Sequence, residues 1–166
     1  MDIERSLKIL KEAYLIEVEG YTFYKNIEKI NISNETKELF KFLANEELKH
    51  QDYLINQIKN IKSKKIFNNI EFEISNIKEI KNIFLDSIKN ITGHFINESS
   101  VLYTGILVEK STFDFYTEAS KNAEDKEEIK LFSSLAEWEL SHLDILQSAY
   151  NIIREKIFTD QQFYPF

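Results

Sequence analysis

The sequence contains no cysteine, only one proline and only three glycines among its 166 residues. The absence of cysteine excludes, within these residues, disulfides, thiolate zinc sites and iron–sulfur clusters. Any bound metal must therefore have oxygen and nitrogen ligands. Because glycine and proline are the residues that most often break helices or form tight turns, their scarcity predicts an all-α fold with long helices and few loops.

The sequence also lacks long apolar runs and an excess of positive charge. It has no run of about 18 apolar residues, and it begins Met-Asp-Ile-Glu-Arg, without the basic-then-apolar order of a signal peptide. We therefore expect a cytoplasmic protein that has no membrane partner. The formal net charge of −7 also argues against nucleic-acid binding, which requires a basic surface.

An internal repeat relates the two halves of the chain. Between positions 17 and 56, 14 of 40 residues are identical to the residue 92 positions later. The repeat includes the segment Glu47-Leu-Lys-His50, which recurs as Glu139-Leu-Ser-His142. Such extensive identity indicates a duplicated pair of helices.

The length of the chain fits one folded unit built from this repeat. We expect a single domain over 1–166, with repeat halves at about 3–61 and 95–157 and a crossover over 62–94. A helix start after Asn76, followed by isoleucines at helical spacing, predicts a short amphipathic helix inside the crossover.

Apolar residues at alternating steps of three and four predict four long helices, over about 3–30, 35–61, 96–122 and 126–157. Asn34 and Asp125 are the expected N-caps of the second and fourth long helices, because they precede acidic first turns. Each of the four helices places one glutamate on its apolar face. These glutamates are Glu17, Glu47, Glu109 and Glu139.

The two Glu-x-x-His motifs favour a metal site. This spacing places a carboxylate and an imidazole on one face of a helix within one turn, where both can bind one divalent ion. Buried carboxylates without partners lose several kcal/mol of hydration, and two divalent cations would offset that loss. The candidate ligands are Glu17, Glu47, His50, Glu109, Glu139 and His142. Oxygen and nitrogen ligands suit Fe(II), Mn(II) or Zn(II), and the spacing does not choose among them. The alternative is a salt-bridged polar layer in a structural bundle.

Four segments resemble the four long helices of the rubrerythrin group of the ferritin-like superfamily. They are Glu-Val-Glu-Gly-Tyr-Thr-Phe-Tyr (17–24), Leu-Ala-Asn-Glu-Glu-Leu-Lys-His (43–50), Val-Glu-Lys-Ser-Thr-Phe-Asp-Phe-Tyr (108–116) and Leu-Ala-Glu-Trp-Glu-Leu-Ser-His (135–142). The resemblance covers essentially the whole chain. It implies a ferritin-like four-helix bundle of two helix hairpins with one long crossover. It further implies two iron ions per chain, with the six candidate residues as ligands and with Glu47 and Glu139 bridging.

The resemblance is incomplete at two points. Rubrerythrins proper carry a rubredoxin module, and they have an additional glutamate one turn after the third-helix ligand, where this chain has Thr112. We therefore expect electrons to come from an external donor protein. We also expect no redox-dependent ligand exchange that uses the additional carboxylate.

The resemblance implies redox chemistry with hydrogen peroxide or dioxygen, of which a peroxidase that depends on an external donor is the first hypothesis. A ferroxidase, for which Fe(II) is the substrate, is the nearest alternative. A manganese catalase-like activity is a further one. A non-catalytic structural or iron-sensing bundle remains as the alternative from a different class.

Tyr24 and Tyr116 lie two turns beyond Glu17 and Glu109 on the same helix faces. A phenol there can donate a hydrogen bond to a ligand carboxylate of the opposite hairpin, which would orient the ligand and tune the metal. The resemblance supports this role. The alternative is that both are ordinary core tyrosines.

Several neighbouring residues are predicted not to take part in the site. Glu19, Glu46 and Glu137 are expected in solvent, Asp52 and Asp144 are expected on the opposite face from their histidines, Trp138 is expected to pack between helices, and His94 is expected at the surface. The C-terminal segment contains Phe158, Phe163, Tyr164 and Phe166. Because it is too aromatic for a free tail, we expect it to pack on the bundle or on a second subunit, which favours a homodimer.

Overall fold

The computed structural model describes residues 2–64, 66–67, 76–93 and 95–160. The described residues form five α-helices. These are α1 (Ile3–Ile27), α2 (Asn34–Lys64), α3 (Ile77–Lys89), α4 (Phe95–Asn122) and α5 (Lys126–Asp160). The predicted all-α fold is confirmed, and the short helix predicted in the crossover is α3. Among these helices, none combines the length and the apolar composition that a membrane span requires.

The first helix begins with a side-chain cap and ends in a tight turn. The Asp2 carboxylate accepts a hydrogen bond from the backbone N–H of Arg5 at 3.1 Å, which satisfies one of the free donors of the first turn. The helix ends at Ile27 rather than at residue 30. The N–H groups of Lys29 and Ile30 bond to carbonyls only three residues back, so the chain tightens and leaves the helix there.

The N-cap of α2 is Ser33, so the prediction of Asn34 is wrong. The Ser33 hydroxyl accepts the N–H of Thr36 at 3.2 Å, whereas Asn34 is already the first residue of the helix. The prediction of Asp125 is confirmed, because its carboxylate accepts the N–H of Glu127 at 3.0 Å. Ser33 and Asp125 are 92 positions apart, so the two caps are equivalent in the repeat although the residue types differ.

The long helices form two hairpins, α1 with α2 and α4 with α5, which pack together into a four-helix bundle. The third helix packs on α5 and, less extensively, on α2. Lys81 of α3 forms an ion pair with Asp144 of α5 at 2.7 Å. Gly93 follows α3 with φ of 77°, a left-handed conformation that glycine adopts without strain, and the chain then enters α4.

The bundle core consists of two apolar clusters, one on each side of a polar layer. The first cluster includes Tyr24, Phe40, Leu102 and Leu146, and the second includes Leu10, Leu54, Tyr116 and Phe132. In each of the four long helices, the predicted ligand residues lie in the sequence between the two clusters. The polar layer is thus enclosed by apolar side chains at both ends.

Two of the predictions about the ends of the chain and the loops lie outside the described residues. Phe163, Tyr164 and Phe166 of the C-terminal segment are not described, and neither is His94. Phe158 is described and is half exposed, with the Arg154 guanidinium 5.8 Å from the centre of its ring.

Candidate metal centre

The six predicted ligands meet in the middle of the bundle. Each of them is at most 3% exposed, because apolar clusters cover the layer above and below. The helix period explains this convergence. One glutamate of each long helix faces the bundle axis, and each Glu-x-x-His motif adds a histidine one turn further on the same face. The six residues are Glu17 of α1, Glu47 and His50 of α2, Glu109 of α4, and Glu139 and His142 of α5.

The ligand atoms fall into two overlapping groups. One group contains Glu17, Glu47, His50 and Glu139, and the other contains Glu47, Glu109, Glu139 and His142. Within each group, one ligand atom from every residue lies within 4.8 Å of all the others. The two groups share Glu47 and Glu139, which belong to the two Glu-x-x-His motifs.

His50 is surrounded by three carboxylates. Its Nδ1 atom lies 2.9 Å from Glu139 Oε1, 3.1 Å from Glu17 Oε2 and 3.4 Å from Glu47 Oε2. Two of these carboxylates come from other helices. The imidazole nitrogen and the carboxylate oxygens therefore point at a common position, as ligands of one cation would.

His142 repeats this arrangement on the other side of Glu139. Its Nδ1 atom lies 3.5 Å from Glu139 Oε2 and 3.7 Å from Glu109 Oε1. The His50 and His142 rings are stacked, with their centroids 5.4 Å apart and their planes 16° apart. The two oxygens of Glu139 thus face two different histidines, which is the geometry that a bridging carboxylate requires.

Two tyrosines connect the hairpins through ligand carboxylates. The Tyr24 hydroxyl of α1 donates to Glu109 Oε1 of α4 at 2.5 Å, and the Tyr116 hydroxyl of α4 donates to Glu17 Oε1 of α1. Both bonds cross to the opposite hairpin, as predicted. Burial raises the pKa of both phenols well above the usual value, and the nearby carboxylates raise it further. Both tyrosines therefore remain protonated donors.

The buried acids compete for protons. Burial, together with Glu17 and Glu139, raises the pKa of Glu47 well above its usual value. Burial raises the pKa of Glu109 to about 8, and the neighbouring Glu139 adds to this effect. In contrast, burial would raise the pKa of Glu139, but the adjacent His50 and His142 outweigh it and lower that pKa.

The histidines hold protons in the same environment. Burial alone would lower both histidine pKa values. For His50, Glu139 and Glu17 outweigh it and raise the pKa well above the usual value. At His142, the charge of Glu109 outweighs burial and raises the pKa of the imidazole to about 9. In the absence of a cation, protons on these histidines and on the neighbouring glutamates therefore offset the negative charge of the layer.

Several polar atoms of this layer lack a hydrogen-bond partner although they are fully buried. They are Nε2 of His50, both carboxylate oxygens of Glu139, and both ring nitrogens of His142. Each buried polar atom without a partner costs about 1–3 kcal/mol, so a fold that retains several of them requires compensation. Divalent cations bound by oxygen and nitrogen would supply it, and the residues present therefore fit a metal pair.

The comparison with protein families agrees with this geometry. The family model described as Rubrerythrin matches residues 8–150, which include all six candidate ligands and both tyrosines. The chain belongs to the rubrerythrin family. Membership of the rubrerythrin family implies a di-iron site, and the buried carboxylates and histidines fit such a site. No significant match was found among the curated proteins or among the solved structures.

The additional glutamate of rubrerythrins proper is replaced here by Thr112. This residue is buried, and its hydroxyl donates to the Val108 carbonyl of its own helix at 3.2 Å. It lies one turn after Glu109 but offers no carboxylate.

Gly20 is a neighbour of the site that the sequence analysis missed. A Cβ atom at this position would lie 3.5 Å from the carboxyl carbon of Glu47. Only glycine leaves this side of Glu47 free of a side chain. The repeat could have revealed this position. Gly20 is the repeat equivalent of Thr112, the residue one turn after Glu109, because the two are 92 residues apart.

Trp138 contacts a candidate ligand directly. Its ring lies edge-on to His50, with the ring centroids 4.0 Å apart and the planes at 71°. The prediction that Trp138 packs between helices is confirmed. The sequence spacing did not reveal that its ring contacts His50. Trp138 is half-buried, so it covers His50 on the α2–α5 side of the bundle.

The predictions for the surrounding acids were correct with one exception. The residues Glu19, Glu137, Asp52 and Asp144 are exposed. Glu46, however, is only 6% exposed, so its prediction as a solvent residue was wrong. The Lys49 ammonium pairs with its carboxylate at 2.5 Å, and this pairing allows Glu46 to lie against the bundle without a free charge.

Proposed function

We propose that this chain binds two iron ions, with Glu17, Glu47, His50, Glu109, Glu139 and His142 as ligands. The observation that carries the proposal is that the two groups of ligand atoms share Glu47 and Glu139. Shared carboxylates of this kind bridge two metal ions in ferritin-like bundles. The same ligand set would also accept manganese or zinc, and the rubrerythrin family match favours iron.

We further propose that the reaction is the reduction of hydrogen peroxide, with dioxygen as a second oxidant. Two bound Fe(II) ions would supply one electron each, so that one peroxide molecule takes up two electrons and two protons and yields two waters. The protein positions the ligands and excludes bulk water. Tyr24 and Tyr116 fix the orientation of Glu109 and Glu17 through their hydrogen bonds.

Electrons for further cycles must come from outside the described site. The sequence contains no cysteine, so these residues hold no thiolate iron centre that could deliver electrons. We therefore propose a separate electron-donor protein. Because Thr112 has no carboxylate, a redox-dependent ligand exchange at this position is not available.

The experiment that tests this proposal begins with the metal content. The protein is purified without added metal, loaded with Fe(II) in the absence of oxygen and analysed by mass spectrometry. The variants Glu47→Gln and Glu139→Gln each remove one proposed bridging ligand with little change of shape. Both are expected to lose iron, whereas Glu46→Gln, which changes a neighbouring buried glutamate, is expected to keep it. Equal iron content in all three variants would contradict the proposed ligands.

Adding peroxide to the reduced, iron-loaded protein then separates the possible activities. Rapid oxidation by one peroxide per iron pair supports the peroxidase. Continued oxidation of added Fe(II), with Fe(III) released, would instead establish a ferroxidase. Oxygen release from peroxide by manganese-loaded protein would establish a catalase-like activity. Bound iron that peroxide does not oxidise would leave a structural or sensing role.

We also propose that the protein is a homodimer, on the basis of the aromatic residues near its C-terminus. Phe158 is half exposed at the end of α5, and three more aromatic residues follow it in the sequence. Light scattering during size-exclusion chromatography tests this proposal. A truncation after residue 157 that remained dimeric would exclude the segment as the interface.

A further inference from the structure

A groove of about 430 Å³ lies between α1 and α4, beside the metal-ligand layer. Its walls include three residues from α1 and three from α4 at equivalent levels. They are Ile16, Glu19 and Gly20 on one side, and Val108, Ser111 and Thr112 on the other. At its rim the groove is accessible, because Glu19 and Ser111 are both exposed.

The internal repeat shows that this groove lies symmetrically between the two halves of the site. Ile16 and Val108, Glu19 and Ser111, and Gly20 and Thr112 are three pairs separated by 92 positions. Each pair is therefore related by the same duplication that relates the two groups of metal ligands. The two walls of the groove are therefore equivalent in the repeat, as the two groups of candidate ligands are.

At Gly20 the wall of the groove lies directly beside a candidate ligand. Gly20 lines the groove, and a Cβ atom there would lie 3.5 Å from the carboxyl carbon of Glu47 and 3.7 Å from its Oε1. No side chain of α1 therefore separates the groove from the carboxylate that both ligand groups share. On the other face of the bundle, the Trp138 ring covers His50 at a centroid distance of 4.0 Å.

The walls of the groove favour an uncharged molecule. Ile16, Phe23 and Val108 are apolar, while Ser111 and Thr112 carry uncharged hydroxyls. The Thr112 hydroxyl donates to the Val108 carbonyl and can still accept a hydrogen bond. Among the described residues that line this groove, Glu19 alone is charged, and its carboxylate disfavours anions near the rim. Hydrogen peroxide and dioxygen are both small and neutral.

We propose that the α1–α4 groove is the entrance through which a small neutral oxidant reaches the metal pair, and that Gly20 and Thr112 form its narrow inner end. This inference rests on the proposed function, because it assumes metal ions at the ligand groups. Gly20 determines access, since any larger residue at this position would stand between the groove and Glu47. Thr112 limits the opening from the other helix. The entrance thus admits molecules by size and charge.

The test blocks the groove at its rim, away from the ligands. Because the chain has no cysteine, the variant Ser111→Cys can be labelled at a single position with a bulky maleimide. Thr22→Cys is the matched control. Thr22 is exposed on α1 near the same level, its hydroxyl bonds to the Val18 carbonyl, and it does not line the groove. Both labelled variants are loaded with Fe(II), and equal iron content shows that the site is intact.

The readout is the rate at which nitric oxide binds to the reduced iron, followed by stopped-flow absorption. Nitric oxide is a neutral diatomic molecule, and its binding requires access but no turnover. Labelled Ser111→Cys is expected to bind it about tenfold more slowly, or slower still, because entry then requires movement of the label. Labelled Thr22→Cys is expected to keep the rate of the unlabelled protein.

Equal nitric oxide rates in the two labelled variants would overturn the proposed entrance. A failure of the proposed peroxidase looks different, since nitric oxide would bind to the unlabelled protein while peroxide would not oxidise its iron. The variant Gly20→Ala tests separately whether the inner end of the groove limits access to the iron. Its Cβ makes only ordinary contact with Glu47, so iron content should be retained while nitric oxide binding slows. An unchanged rate in Gly20→Ala would exclude the inner end as the narrow point.

Discussion

At the scale of single residues, the two tyrosines explain how the hairpins are held in register across the site. Each phenol donates to a carboxylate of the opposite hairpin, Tyr24 to Glu109 and Tyr116 to Glu17. Both phenols and both acceptors are almost completely buried. In such a location a hydrogen bond is strengthened by the low dielectric constant, and the loss of one partner is costly.

We predict that Tyr116→Phe weakens metal binding without unfolding the protein. The substitution keeps the ring and removes only the donor to Glu17, so this carboxylate loses its fixed orientation. Loss of a hydrogen-bond partner behind a metal ligand typically reduces affinity about 10–100-fold. The affinity can be measured by titration with Fe(II) in the absence of oxygen.

The fluorescence of Trp138, the only tryptophan of the chain, provides a signal for this titration because its ring contacts His50. Tyr150→Phe is the matched control. Tyr150 packs against Tyr103, which is half exposed, and its hydroxyl bonds to none of the candidate ligands in the described structure. The iron affinity of the Tyr150→Phe variant should therefore equal that of the unchanged protein. The role assigned to Tyr116 would be refuted by equal affinities in the two variants.

At the scale of helices, the ends of α2 and α5 show how the repeat preserves a function while the residue type changes. Ser33 caps α2 through its hydroxyl, and Asp125 caps α5 through its carboxylate. Both residue types are good N-caps. A comparison of identical residues could not reveal this equivalence, because only the hydrogen-bonding geometry is shared.

We predict that Ser33→Ala destabilises the metal-free protein by about 0.5–2 kcal/mol, the usual effect of removing an N-cap side chain. Asn34→Ala should have a smaller effect, because Asn34 lies inside the helix and alanine is a better helix former. Urea unfolding of the two variants, followed by circular dichroism, gives the two free energies. A larger loss in Asn34→Ala would show that Asn34 is the cap after all.

At the scale of the whole molecule, the buried polar layer couples folding to pH. In the folded, metal-free protein the pKa of Glu109 is about 8 and that of His142 about 9, above the usual values of 4.5 and 6.5. Both raised values mean that the folded state holds protons that the unfolded state has lost. The stabilisation from Glu109 is complete below pH 4.5, and that from His142 below pH 6.5. It is lost as the pH rises through the folded-state values.

We therefore predict that the metal-free protein becomes less stable between about pH 4.5 and about pH 9, first through Glu109 and then through His142. Bound metal should reverse this trend, because the ligands must lose their protons to bind a cation, and binding thus strengthens as the pH rises. Differential scanning calorimetry of metal-free and iron-loaded protein across this range tests both statements. Glu109→Gln, which cannot titrate, should flatten the curve of the metal-free protein. A metal-free Tm that is independent of pH would contradict the prediction.

Features that depend only on helical periodicity were predictable from the sequence. Features that depend on backbone angles or on contacts between side chains were not. Helical spacing and the repeat predicted all four long helices, the crossover helix and the burial of the six candidate ligands, because a period of 3.6 residues determines which face of a helix is buried. Asn34 was misplaced by one position, since a cap depends on the backbone angles of the residue before the helix. Glu46 was predicted in solvent but is buried, because its ion pair with Lys49 neutralises the carboxylate.

The sequence by itself therefore determined that this protein is an all-α rubrerythrin-like bundle with one acidic residue of every long helix at its centre. The tertiary structure alone decided that the Nδ1 atom of His50 lies near carboxylates of three helices, that Trp138 contacts His50, and that Gly20 in the wall of the groove lies beside Glu47. The physical reason is that the period of a helix determines which side chains face inward. The rotation and spacing of packed helices determine which of those side chains meet.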